Sequence, residues 1–162
     1  YYLPHWRATE DKDLKLAVFA TGPAIRNVYS NLLSEIIGTA VLVLGILSLG
    51  SNEFTEGLNP FIVGMLIFLI GMSLGGTTGF AINPARDLAP RLAHAILPIF
   101  GKGSSDWAYS WIPVLGPLFG VVYGGLFYYA AYKHNFNIGF WIMSAMLAIL
   151  IIMAYLNDKK QA

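Results

Sequence analysis

The chain has 162 residues with no cysteine, three histidines and few charges: ten Lys+Arg against nine Asp+Glu, 12% of the sequence, for a net charge of +1. Each shortage excludes something. Without cysteine there is no disulfide and no thiolate site. His5, His94 and His134 are dispersed and lack ligand spacing, so no metal centre is expected and no cofactor is implied. Ser, His and Asp lie scattered with no nucleophile–base pairing, which argues against an enzyme. A balanced charge with no basic cluster leaves no footprint for nucleic acid.

What fills the space is apolar. Hydrophobic residues make up 56% of the chain, and the mean hydropathy of +0.60 lies outside the usual soluble balance. Four stretches, Val28–Leu49, Leu58–Gly76, Trp111–Tyr129 and Ile138–Leu156, approach the roughly 20 apolar residues that a bilayer-crossing helix needs. The sequence therefore predicts an all-α, multi-pass membrane protein with the lipid bilayer as its surroundings. Ser51–Gly57 is a short polar connection, and Gly101–Ser105 is a turn-rich break. Tyr1–Arg26 reads as loop, with a solvated patch at Glu10, Asp11, Lys12 and Asp13 and punctuation at Gly22–Pro23.

The most informative segment is Gly79–Leu92, GFAINPARDLAPRL. It sets a helix start where a membrane crossing should still be in progress. Asn83 is a good N-cap, Pro84 suits the first helical position, and Asp87 lies in the first turn, where negative charge complements the dipole. A half-helix over 83–96 is predicted. Irregular backbone at that depth survives only when buried in protein or lining a water-filled cavity. Arg86 adds a permanent charge, and intramembrane charges usually face a pathway. The alternative for Arg86 is an interfacial loop from which it snorkels to water.

Small residues recur at helical spacing: Gly71, Gly75 and Gly79; Gly116, Gly120 and Gly124; Gly38 and Gly45. Such ladders let helix backbones approach where lipid gives no hydrophobic push. Gly71 has a second reading, as a residue that leaves room in a lumen.

These residues carry a family resemblance. TGFAINPARDLAPR (Thr78–Arg91) resembles the second half-helix loop of the glycerol facilitators, and YLPHW and FATGPAIRN resemble the loop after the third span in bacterial members. Over about Tyr1–Tyr132 the chain is similar to the C-terminal half of the major intrinsic protein family, the aquaporins and glycerol facilitators. The resemblance implies an aquaporin-like second inverted repeat. Residues 1–27 would be an extracytoplasmic loop, and 28–132 three spans plus the half-helix. Residues 133–162 would add a hydrophobic segment. An N-terminal repeat with its own NPA half-helix is expected elsewhere, so the chain, which starts at Tyr1, is expected to be half of a pore. A homotetramer in the cell membrane is implied by the family alone.

The resemblance also assigns roles. Gly71, Phe80 and Arg86 match the selectivity filter, with Gly at 71 where water-selective members carry His. Asn83, Pro84 and Ala85 match the NPA motif. Asp87, Arg91 and Pro113–Val114 match the glycerol-conducting pattern. The carbonyls of Thr78, Gly79, Phe80 and Ala81 would line the pore. Glu35 would accept hydrogen bonds from the half-helix loop, with Thr39 in the same layer; the alternative for Glu35 is a membrane-surface position near Ser34. The implied function is a passive channel for glycerol and other small neutral solutes, with water, excluding ions and protons. Alternatives are a mainly water-conducting channel or a transport-inactive assembly fragment. Ile138–Leu156 either spans, leaving Asp158, Lys159 and Lys160 outside against the positive-inside tendency, or lies as an interfacial or re-entrant helix.

Overall fold

A computed structural model describes residues 2–54 and 57–161. Tyr1, Ala162 and, within the Ser51–Gly57 connection, Thr55 and Glu56 lie outside the described residues. Among the described residues the order is α1 (Leu3–Ala8), α2 (Lys12–Ala17), α3 (Val28–Leu49), α4 (Leu58–Leu74), α5 (Pro84–Ile96), α6 (Ile112–Lys133) and α7 (Ile138–Gln161). Helices α3, α6 and α7 are long and apolar enough to cross a membrane, and α4 is a shorter apolar helix. The fold is all-α.

Helix α3 starts where Asn27 accepts from the Ser30 N–H at 3.2 Å. It packs on α6 almost backbone to backbone. A Cβ added to Gly116 would lie 2.5 Å from Glu35 Cβ, and one at Gly124 would lie 2.7 Å from the Ala40 carbonyl. The α6 ladder is thus a helix–helix contact of the small-residue kind. The ladder at Gly71, Gly75 and Gly79 is different: Gly71 and Gly75 lie against Phe80 of the chain's own returning loop, and Gly79, within that loop, lies against Thr21 and Gly22.

Two stretches depart from the sequence reading. The first 26 residues, expected as loop, contain α1 and α2, and Asp11 of the expected solvated patch caps α2 by accepting from Asp13 and Leu14 N–H. Six-residue helices are too short to show an apolar period. They are pinned to the far end of α5, where Trp6 Nε1 donates to the Phe100 carbonyl at 2.7 Å and Lys15 Nζ to that of Gly101 at 3.2 Å. The crossings also shift at their ends. Helix α4 stops at Leu74, before Gly75 and Gly76, while α6 and α7 run on through helix-compatible residues to Lys133 and Gln161.

Helix α5 is held by a buried ionic network. All five guanidinium N–H donors of Arg91 are used. Nε and Nη2 meet the two Asp87 carboxyl oxygens at 2.7 and 2.8 Å, Nη2 also reaches the Thr21 carbonyl at 2.7 Å, and Nη1 takes those of Ser105 and Asp106 at 2.8 and 3.1 Å. Asp87 accepts further from Thr21 N–H and Oγ1. Asp87 and Arg91 are fully buried. At the other end, Lys102 Nζ donates to the carbonyls of His94, Ala95 and Leu97, complementing the negative end of the dipole.

Removing one partner of a buried pair leaves the other charge uncompensated, at a cost of about 3–5 kcal/mol. Arg91→Met and Asp87→Leu should each lower the unfolding temperature of the detergent-purified protein sharply. The double variant should cost much less than the two losses added, and additive losses would mean that the pair is not coupled.

Candidate functional site: the broken loop and half-helix

Between α4 and α5 the chain reverses through Gly79 (φ +80°), Phe80 (φ +63°) and Ile82 (φ +43°). Left-handed backbone at Phe80 and Ile82 costs on the order of 1–3 kcal/mol each, so the surroundings must enforce it. Glu35 supplies that enforcement. Its side chain, on α3 and almost wholly buried, accepts the Ala81 N–H at Oε1 (3.2 Å) and the Ile82 N–H at Oε2 (2.7 Å). Thr39 Oγ1 donates to the Glu35 carbonyl at 2.8 Å, a bond within the helix and not one to the loop. The loop's entry is tied as well: Ala24 N–H donates to the Thr77 carbonyl at 3.0 Å, and Ser34 and Thr77 share a hydroxyl contact at 2.5 Å.

Glu35 satisfies donors, and the acceptors go elsewhere. Among the described residues, no group donates to the carbonyls of Thr78, Gly79, Phe80 or Ala81. Asn83 caps α5 through Oδ1, which accepts the Ala85 N–H at 2.9 Å. That bond fixes the amide's orientation and leaves Nδ2 as a donor with no partner among the described residues. Pro84 occupies the first helical turn, where its missing N–H costs nothing. The result is a row of carbonyls without a donor, those of Gly79 and Phe80 on accessible residues and those of Thr78 and Ala81 on buried ones, followed by the Asn83 NH₂ and the positive end of a helix dipole.

Gly71 and Phe80 are brought together: a Cβ at Gly71 would sit 3.2 Å from Phe80 Cε1. Arg86 lies in the first turn of α5, exposed; its backbone N–H donates to the Asn83 carbonyl at 3.1 Å, while its guanidinium makes no hydrogen bond to Gly71, Phe80 or any other described residue. Asp87, four residues after the Asn83 cap, points instead into the buried network. Thr21, Ser105 and Asp106 complete that network. Thr21 lies in the FATGPAIRN stretch, but nothing in the sequence signals its tie to α5, because these residues bond through backbone groups and one hydroxyl of loops outside the helix. His94 belongs to this packing too, with Nδ1 2.9 Å from Ser105 Oγ and its ring edge-on to Phe19.

Glu35→Gln replaces one acceptor by an NH₂ group facing a backbone N–H. An unsatisfied buried donor costs about 1–3 kcal/mol. The variant should unfold earlier in detergent and expose the Ala81 and Ile82 amides to faster hydrogen exchange. Unchanged exchange at those two amides would show that the loop holds itself.

Comparison of the sequence with known proteins identifies a family. The Major intrinsic protein (MIP) profile matches residues 8–128. The glycerol uptake facilitator protein of Bacillus subtilis is 59% identical over all 162 residues, and glycerol uptake facilitator protein 3 of Lactiplantibacillus plantarum is 60% identical over 128 residues, 79% of the chain. The chain spans 59% and 53% of the lengths of these two relatives. With a broken apolar helix pair, an NPA-capped half-helix and a matching profile over most of its length, the chain belongs to the major intrinsic protein family of integral membrane proteins.

Proposed function

We propose that this chain forms the second half of a passive cell-membrane channel for glycerol and other small neutral solutes, with water. The first half would come from an N-terminal repeat, and four copies would assemble. The observation that carries the reading is a set of groups on the loop and the start of α5 that have no partner in the described fold: the four carbonyls of Thr78–Ala81, of which Gly79 and Phe80 are on accessible residues, the Asn83 NH₂ and the Arg86 guanidinium. A polyol has a hydroxyl edge and a carbon–hydrogen edge. The carbonyls of Thr78, Gly79, Phe80 and Ala81 would take the hydroxyl protons, and Asn83 and Arg86 would donate to the oxygens. The Phe80 ring would face the apolar edge. Gly71 leaves width beside that ring. Exclusion of protons and cations follows from the fixed Arg86 charge and the positive helix end. No cofactor is needed, since the solute moves down its own gradient.

The names of the matched relatives, glycerol uptake facilitators, support the solute class. Gly71→His tests it in the full-length protein reconstituted in liposomes. Glycerol permeability per folded channel should fall by about tenfold, a barrier increase of about 1.4 kcal/mol, with a much smaller loss for water. Equal losses would mean that Gly71 serves only to seat Phe80. Water flux without glycerol flux in the unaltered protein would favour a water channel, and neither flux an assembly module.

Arg86→Ala separates charge from folding. With no partner to lose in the described fold, the variant should keep its unfolding temperature while admitting protons or cations and changing polyol selectivity. Unchanged leak and selectivity at normal expression would remove Arg86 from the filter.

A further inference from the structure

Helix α7 lies outside the residues that the family profile matches, which end at 128, yet the Bacillus subtilis relative aligns across it. Its direction follows from its contacts. Near its start, Phe140 stacks on Tyr123 of α6 with centroids 6.4 Å apart, and Gly139 approaches Leu126. Towards its end, Leu150 and Met153 share an apolar cavity of about 260 Å³ with Leu32 near the start of α3 and Phe119 in the first half of α6. Helix α7 thus runs antiparallel to α6, back towards the end of α3 where α1 and α2 sit. The opposite ends of α3 and α6 are joined by the contact of Ser51 Oγ with Tyr128 OH at 3.0 Å.

Its outer surface is suited to lipid. Ile142, Ile151 and Ile152 are exposed, and no charged residue occurs between Trp141 and Asp158. Trp141 stands near one end, and at the other Lys159 lies over the Tyr155 ring at 5.0 Å. From Trp141 to Lys159 the rise is about 27 Å at 1.5 Å per residue, close to the roughly 30 Å hydrocarbon core. Aromatic residues at both ends fit the two membrane interfaces. An interfacial helix would need a charged or polar face along its length, and from Ile142 to Leu156 the side chains offer only Ser144 and Tyr155.

We propose that α7 is an additional membrane crossing, seated on the outside of the α3–α6 pair with lipid acyl chains on its outer face, and that it carries Asp158–Gln161 to the membrane side occupied by α1 and α2. The absence of cysteine makes the test clean. In the full-length protein, with any cysteine elsewhere replaced, Lys160→Cys, Glu10→Cys and Asn52→Cys are treated separately in sealed vesicles with a membrane-impermeant maleimide. Total reactivity is measured after permeabilisation. Lys160→Cys should be labelled from the same side as Glu10→Cys, and labelling from the side that reaches Asn52→Cys overturns the proposal. A nitroxide on Ile152→Cys gives a second readout. Oxygen, which concentrates in lipid, should relax it far more than a water-soluble nickel chelate. Stronger relaxation by the chelate also overturns the assignment.

Discussion

The structure depends on what becomes of backbone polar groups where there is no water to receive them. A helix satisfies its own; a chain that reverses in mid-crossing cannot. Here two of the orphaned N–H groups, Ala81 and Ile82, are taken by one buried carboxyl side chain, Glu35 on α3. That side chain can reach the loop because α3 is itself held closely by α6 at Gly116, where a methyl group would collide with the Glu35 Cβ. The glycine contact, the carboxyl and the left-handed loop are therefore one mechanical unit. With those two donors occupied, the carbonyls of Thr78–Ala81 still have no donor from the described fold.

Charge is divided by the same logic. Asp87 and Arg91 sit on one helix four residues apart and spend their hydrogen bonds on each other, on Thr21 far away in sequence and on Ser105 and Asp106 in the loop after α5. They fix α5 and are closed to any solute. Arg86, one residue before Asp87, is exposed and uses none of its guanidinium donors within the described fold. Neighbouring charges on the same helical turn thus serve opposite ends, one anchoring the element and the other facing outward. In the proposed channel, Arg86 needs its position fixed without having its donors consumed, and the network behind it does this.

Much of this was legible in the residues. Asn83, Pro84 and Asp87 mark the start of α5 because capping is a local matter, and α3 runs over the span its apolar run delimits. Glu35 stood out as an acid within that run. Other features depend on long-range partners that no window of sequence contains. Thr21 meets Asp87 across 66 residues, and Trp6 meets Phe100 across 94. Spacing could not distinguish the two glycine ladders: one packs a helix on a helix and the other makes room for the loop that follows it. The helical turns at Leu3–Ala8 and Lys12–Ala17 are too brief to carry a pattern.

The central claim is that the carbonyls of Thr78–Ala81 have no donor within the fold and that the accessible ones, on Gly79 and Phe80, are used by a passing solute. A high-resolution structure of the full-length protein determined in glycerol would test it most directly. Density for polyol hydroxyls should lie within about 2.7–3.2 Å, ordinary hydrogen-bond range, of those carbonyls and of the Arg86 guanidinium. The account is contradicted if the four carbonyls are instead filled by donors from the rest of the protein, with no solute beside them.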